Sequence, residues 1–312
     1  MQGLLFRYGP AAPQIALRSG GSSGGAAPHA RHLVLVHGLT EGLLFAPYAQ
    51  QLAAGAERAG YALVQAQLRS SYQGWGVGCL DEDADDLLAL SRHLRGELGS
   101  RGIVLMGHST GCQARDVVRF CARHGAAEGA APLEGVILQA PVSDREWLSH
   151  CHPGVVALLP AAKAMAAEGR GAEVAARAPA DLDAAPVSAA RLVALVERLG
   201  DDDMWSMDLT PGELRRLLGH LAPWPLLLLQ SGADESVPDP ASIPELGRRV
   251  MAAVGGGGGG AAAGEGGGGG GGGAGLRRHV VLDRAPHNAA GHEEALAAAV
   301  EEFLVSVRAG NT

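Results

Sequence analysis

The segment Gly107-His108-Ser109-Thr110-Gly111 limits the possible folds more than any other stretch of this chain. A short apolar run at 103–106 leads into it, and a helical stretch at 111–123 follows. A serine on a sharp strand-to-helix turn is held in strained backbone geometry with its hydroxyl exposed, and flanking glycines avoid collisions across the turn. The start of a helix also places positive potential beside developing negative charge. The glycine-x-serine-x-glycine pattern alone arises often by chance. Its strand-turn-helix setting is what makes Ser109 the candidate nucleophile.

The rest of the chain supplies the alternation that such a turn needs. Short apolar runs bounded by turn residues predict strands at 33–36, 61–65, 103–106, 136–139, 225–230 and 280–282. Helical stretches at 48–58, 81–98, 111–123 and 293–307 lie between or after them, implying a mostly parallel sheet with helices on both faces. The 312 residues are enough for one large α/β domain or two small ones, and 47% hydrophobic with 19% charged residues fit a substantial core; 1–312 is expected to be a single α/β domain. Two segments break the alternation. Residues 143–220 are Ala-rich, with helical character and no convincing strand, and follow a strand near the sheet centre. They are expected to form a helical lid. Residues 255–275 are almost all glycine, which cannot bury apolar surface, so a disordered insertion is expected.

Serine at its ordinary pKa is a poor nucleophile and needs a base, plus a group to orient that base. In a chain with this turn the order is serine, acid, histidine. Asp234 sits just past the predicted strand at 225–230, and His287 is the first histidine after the last predicted strand. These two complete the candidate catalytic set with Ser109. Asp144 is a rival acid, Glu235 is expected to face away, and His292 to decorate the following helix. His108, within the elbow, is expected to turn its ring from the nucleophile and to serve as supporting structure. Two backbone N–H groups should bind the oxyanion, one from Thr110 and one from Leu39 in the loop Val36-His37-Gly38-Leu39-Thr40.

Beyond these residues, the chain resembles one branch of the α/β hydrolases. This is the poorly characterised esterase-like family of plants, algae and fungi that includes fungal siderophore-ester hydrolases. The resemblance rests on Gly38-Leu39-Thr40-Glu41-Gly42-Leu43-Leu44, on Gln67-Leu68-Arg69-Ser70-Ser71-Tyr72-Gln73-Gly74-Trp75-Gly76, and on the stretch from Gly107 to Gln113. Asp203-Met204-Trp205-Ser206, Arg216-Leu217-Leu218-Gly219-His220 and Asp234-Glu235-Ser236-Val237-Pro238 extend it. It implies an α/β-hydrolase fold and serine-hydrolase chemistry, while the glycine tract departs from the family pattern. The 67–76 segment follows a predicted strand, so it emerges where ligands bind in open α/β sheets. There Arg69 has two readings, holding a substrate carbonyl or carboxylate, or pairing with a lid carboxylate. Tyr72 and Trp75 are candidates for an apolar wall. Met204 and Trp205 are candidates for lid contacts or lid core.

Composition removes other classes. A net charge of −8 offers no electrostatic footprint for nucleic acid. No apolar stretch of bilayer-spanning length occurs, and the first residues lack the layout of a secretion signal. Cys79, Cys112, Cys121 and Cys151 form no CxxC pair or disulfide framework, which points to the cytoplasm. The run His150-Cys151-His152 lacks a second ligand pair at metal spacing, so neither a metal nor an organic cofactor is implied. The expected reaction is hydrolysis of a small-molecule ester, or of a thioester or amide, through an acyl-serine. The alternatives are a non-catalytic small-ligand receptor, or a lyase or acyltransferase on the same fold.

Overall fold

The computed structural model describes residues 2–20, 31–113, 117–125, 127–255 and 275–310. Eight strands form the main sheet. In chain order they are β1 (Gly3–Arg7), β2 (Ile15–Ser19), β3 (Arg31–Val36), β4 (Ala62–Ala66), β5 (Gly102–His108), β6 (Leu133–Gln139), β9 (Leu226–Ser231) and β10 (Arg277–Leu282). Their spatial order is β1-β2-β4-β3-β5-β6-β9-β10, and only β2 runs against its neighbours. The hairpin β1–β2 lies outside the strands that the sequence predicts. Its strands are short, and Leu4 and Leu5 at the sheet edge are both more than half exposed, so neither a buried run nor an alternation announces them.

The central strands read as continuous apolar runs because both faces are covered. In β3, Val34 and Val36 pack with α2 (Leu80–Gly96) and α3 (Val117–His124), whereas Leu33 and Leu35 pack with α1 (Ala49–Arg58) and α10 (Glu293–Gly310). The four leucines 226–229 of β9 alternate between the same two cores. Each leucine side chain fully buried in this way stabilises the fold by roughly 1.5–3 kcal/mol. Because β3, β5, β6, β9 and β10 are parallel, the loops leaving their carboxyl ends all open at one edge of the sheet. That edge receives residues 37–41, 109–112, 140–144, 232–236 and 283–287.

The stretch between β6 and β9 differs from the expected all-helical lid. It contains α4 (Asp144–Cys151), α5 (Pro153–Val156), α6 (Leu159–Ala167), α7 (Ala189–Val196) and α8 (Pro211–Leu218), but also a two-stranded sheet of β7 (Val174–Arg177) and β8 (Pro186–Ser188). β7 reads Val-Ala-Ala-Arg, in which only Val174 favours a strand, and pairing with β8 overrides the two alanines. The stretch also divides into two. Residues up to Val196 build a third core of their own around Trp75, Leu148, Leu182 and Leu192. Met204, Trp205, Leu214 and Leu218 belong instead to the core of α2, α3 and α9 (Ile243–Gly255), so Met204 and Trp205 are sheet core rather than lid contacts. Within the glycine tract, only Gly255 and Gly275 fall among the described residues.

Candidate active site

β5 lies between β3 and β6 and delivers Ser109 at its carboxyl end. The serine has φ +54°, a left-handed conformation that costs an L-residue roughly 1–2 kcal/mol. The turn closes tightly around it. A Cβ on Gly107 would sit 2.4 Å from the Gly111 carbonyl oxygen, and one on Gly111 would sit 2.5 Å from that of His37. Both obstacles are backbone, so both positions require glycine. Beyond Ser109 the chain makes one 3₁₀ turn to Cys112, so the α-helix expected from 111 does not begin there, and α3 is described from Val117.

Asp234 and His287 come from the loops after β9 and β10. These loops are tied together by Gly232 N–H donating to the Leu282 carbonyl (2.8 Å) and Ala233 N–H to the Ala285 carbonyl (2.9 Å). The result is an unbroken chain of hydrogen bonds. His287 Nδ1 is 2.8 Å from Asp234 Oδ2, and His287 Nε2 is 2.7 Å from Ser109 Oγ. The other oxygen of the buried Asp234 carboxylate accepts the Ser236 N–H at 2.9 Å. Burial by itself would lower the His287 pKa, but the hydrogen bond and charge of Asp234, helped by Glu235 and Glu41, raise it above the ordinary histidine value. Asp144, the rival acid, lines the cavity over Ser109, yet it is Asp234 that holds the imidazole.

Two neighbours depart from the sequence expectation. Glu235 does not face away, because its Oε2 accepts the His287 backbone N–H at 2.8 Å. Nor does His108 turn from the site. Its ring centroid lies 4.9 Å from that of His287, and its Nδ1 is bonded to Gln139 Oε1. Burial pushes the His108 pKa down to about 4, against the opposing charge of Glu41, so the ring is neutral at pH 7. Gln139 also donates from Nε2 to the His287 carbonyl at 3.3 Å. Side chains from β5 and β6 therefore brace the base loop from behind, a contact between distant residues that no local pattern signals.

Leu39 and Thr110, the expected oxyanion donors, line the same cavity of about 140 Å³ as Ser109 and His287. Trp147 and Leu182, both from the stretch between β6 and β9, wall its far side with Val142. Sequence reasoning missed them because lid packing leaves no periodic trace. Contrary to expectation, none of Arg69, Tyr72 and Trp75 lines this cavity. Arg69 donates from Nη2 and Nε to Asp86 Oδ1 at 2.8 and 2.9 Å, and from Nη2 to the Glu82 carbonyl at 3.1 Å. This is a packing role, although its partners belong to α2 rather than to a lid. Trp75 is buried in the third core. Tyr72 is half exposed and covers Gly42, where a Cβ would sit 2.3 Å from the tyrosine ring.

A mostly parallel eight-stranded sheet with a serine on the turn after its central strand, and a histidine and an aspartate on later loops, defines an α/β hydrolase. More narrowly, residues 3–259 match the family described as "Protein of unknown function (DUF1749)", and the chain belongs to that family. It is 36% identical over 223 residues to the UPF0613 protein PB24D3.06c of Schizosaccharomyces pombe, covering 66% of this chain and 68% of that protein. It is 31% identical over 259 residues to the fusarinine C esterase sidJ of Aspergillus fumigatus, covering 68% of this chain and 72% of that one. Among solved structures, the siderophore hydrolase EstB from Aspergillus fumigatus superposes with a TM-score of 0.73 at 24% identity, over 98% of this chain and 97% of that one. Est1E from Butyrivibrio proteoclasticus shares the fold at a TM-score of 0.55 and 14% identity, over 95% and 94% of the two chains.

Proposed function

We propose that this protein is a carboxylic ester hydrolase that works through an acyl-serine intermediate on Ser109. The observation that carries this reading is the hydrogen-bonded chain from Asp234 through His287 to the Ser109 hydroxyl. In the first half-reaction Ser109 Oγ attacks the ester carbonyl carbon while His287 Nε2 accepts the hydroxyl proton. Asp234 stabilises the imidazolium, and the N–H groups of Leu39 and Thr110 bind the oxyanion. Collapse expels the alcohol, which takes the proton from His287. In the second half a water, deprotonated by His287, attacks the acyl carbon, and collapse releases the carboxylic acid while His287 returns the proton to Ser109 Oγ. The segment carrying Trp147 and Leu182 serves as a lid that supplies an apolar wall and excludes water.

The names of two similar proteins, a fusarinine C esterase and a siderophore hydrolase, make siderophore esters the first natural substrates to try, beside simple esters of increasing acyl length. A reducing, cytoplasmic setting fits the four free thiols. Among the described residues, no helix is long and apolar enough to cross a membrane. The test is a fluorophosphonate label. It should modify Ser109 alone, and Ser109→Ala should lose both labelling and ester hydrolysis with an unchanged melting temperature. Equal labelling of that variant removes Ser109 as the nucleophile.

A further inference from the structure

We propose that Glu41 is a positioning residue of this site, clasping the loop that presents Leu39 and facing the imidazole of His287 with its charge. The proposal rests on the hydrolase reading above. Glu41 lies three residues beyond Gly38 and lines the Ser109 cavity. Its Oε2 accepts the Gly38 N–H at 2.7 Å, and its own N–H reaches back to the Gly38 carbonyl at 3.4 Å. The turn so closed carries Thr40 at φ +64°, a conformation unfavourable for a β-branched residue, so something must hold it. The carboxylate is that clasp. The backbone at Gly38 runs close to the nucleophile, since a Cβ there would sit 2.9 Å from Ser109 Cβ. The N–H of Leu39, next along the chain, is thereby fixed against the nucleophile.

The other oxygen of Glu41 points inward, 3.8 Å from His108 Nε2. The groups that face His287 are Asp234 and Glu235 from the loop after β9, His108 at the end of β5, and Glu41 from the loop after β3. His108 is neutral, so of the groups supplied by β3 and β5 only Glu41 brings charge. A carboxylate there favours the imidazolium that forms as Ser109 gives up its proton. One side chain thus serves the Leu39 donor by hydrogen bonding and the base by charge.

Two substitutions separate these roles. Glu41→Gln keeps the length and an acceptor oxygen for the Gly38 N–H but removes the charge, whereas Glu41→Ala removes both. The readout is the second-order rate of Ser109 labelling by a fluorophosphonate as a function of pH, which needs no natural substrate. Glu41→Ala should label about tenfold to a hundredfold more slowly at every pH, as expected for a displaced oxyanion donor. Glu41→Gln should label near the wild-type rate at high pH, with its acid limb moved down by about half a unit because the imidazolium has lost a neighbouring anion. A purely structural role would not move that limb. A wild-type rate in Glu41→Ala, or an unmoved limb in Glu41→Gln, overturns the proposal; should the alanine variant misfold, the glutamine limb decides alone. If wild-type Ser109 takes no label at all, the hydrolase reading fails and this proposal goes with it. Labelling insensitive to Glu41 sinks this proposal only.

Discussion

Ser109, His287 and Asp234 come from three separate loops, and removing any one should break the same relay. Asp234→Asn and His287→Ala should each lower ester turnover by several orders of magnitude, since the members of such a set act as one unit. A collapse in Asp144→Asn with activity retained in Asp234→Asn would reverse the assignment of the acid. The raised His287 pKa has a direct kinetic consequence. The base must be neutral to accept the Ser109 proton, so kcat/KM should rise with pH through a value above the ordinary 6.5. His108 has the opposite shift, with a different outcome. An unfolded chain protonates this histidine below about 6.5, whereas the folded one does so only below about 4, so the unfolded state binds more protons between those values. Stability should therefore fall as pH drops from 6.5 to 4, by at most about 3 kcal/mol from this group. Urea denaturation at pH 7 and pH 5 checks it, because His108→Gln should lose less stability on acidification than the wild type does.

The loop after β4 works as an element that joins parts of the fold. Arg69 donates from Nε and Nη2 to Asp86 Oδ1 of α2, and the same oxygen accepts from Gln14 Nε2 at 2.7 Å, which ties in the β1–β2 hairpin. A few residues on, Trp75 enters the third core, and its carbonyl accepts from Arg191 Nε at 2.9 Å. Arg191 is in turn paired with the buried Asp202. Arg69→Ala should accordingly cost stability rather than specificity. Leaving the Asp86 carboxylate short of a partner should cost about 1–3 kcal/mol, reduced because the guanidinium is about a third exposed. Thermal unfolding should show the loss while kcat/KM for a small ester stays within about twofold. A drop of tenfold or more in kcat/KM, with melting unchanged, would return Arg69 to the substrate.

For the whole molecule, the sheet separates chemistry from connection. α9 ends at Gly255 and β10 begins at Arg277, and β10 spends six residues crossing the sheet before the His287 loop. At about 3.3 Å per residue this is close to 20 Å, so Arg277 lies at the edge opposite the cavity. Replacing 256–274 with a short turn should leave ester hydrolysis nearly intact. Closure entropy changes by only about 0.6 kcal/mol per doubling of loop length, so stability should be unchanged or slightly higher. A variant that folds normally yet loses hydrolysis would show that the tract reaches the site.

How much was legible in advance follows from the range of the signal. The elbow around Ser109, the order of Asp234 and His287, and the two-faced sheet all leave local marks: glycines where backbone crowds backbone, and apolar runs where helices cover both faces. Glu235, His108, Gln139 and Glu41 meet only because parallel strands bring five loops to one edge, and such a meeting has no periodicity. Arg69, Tyr72 and Trp75 carried a specific motif whose position suggested a ligand, and the fold directed them to α2, Gly42 and the third core instead. The β7–β8 hairpin shows the same limit, since an alanine-rich strand exists where its partner can pair with it. Local chemistry settled which residues sit on turns and which in the core. Long-range packing settled which of them touch, because that depends on the free energy of the whole arrangement.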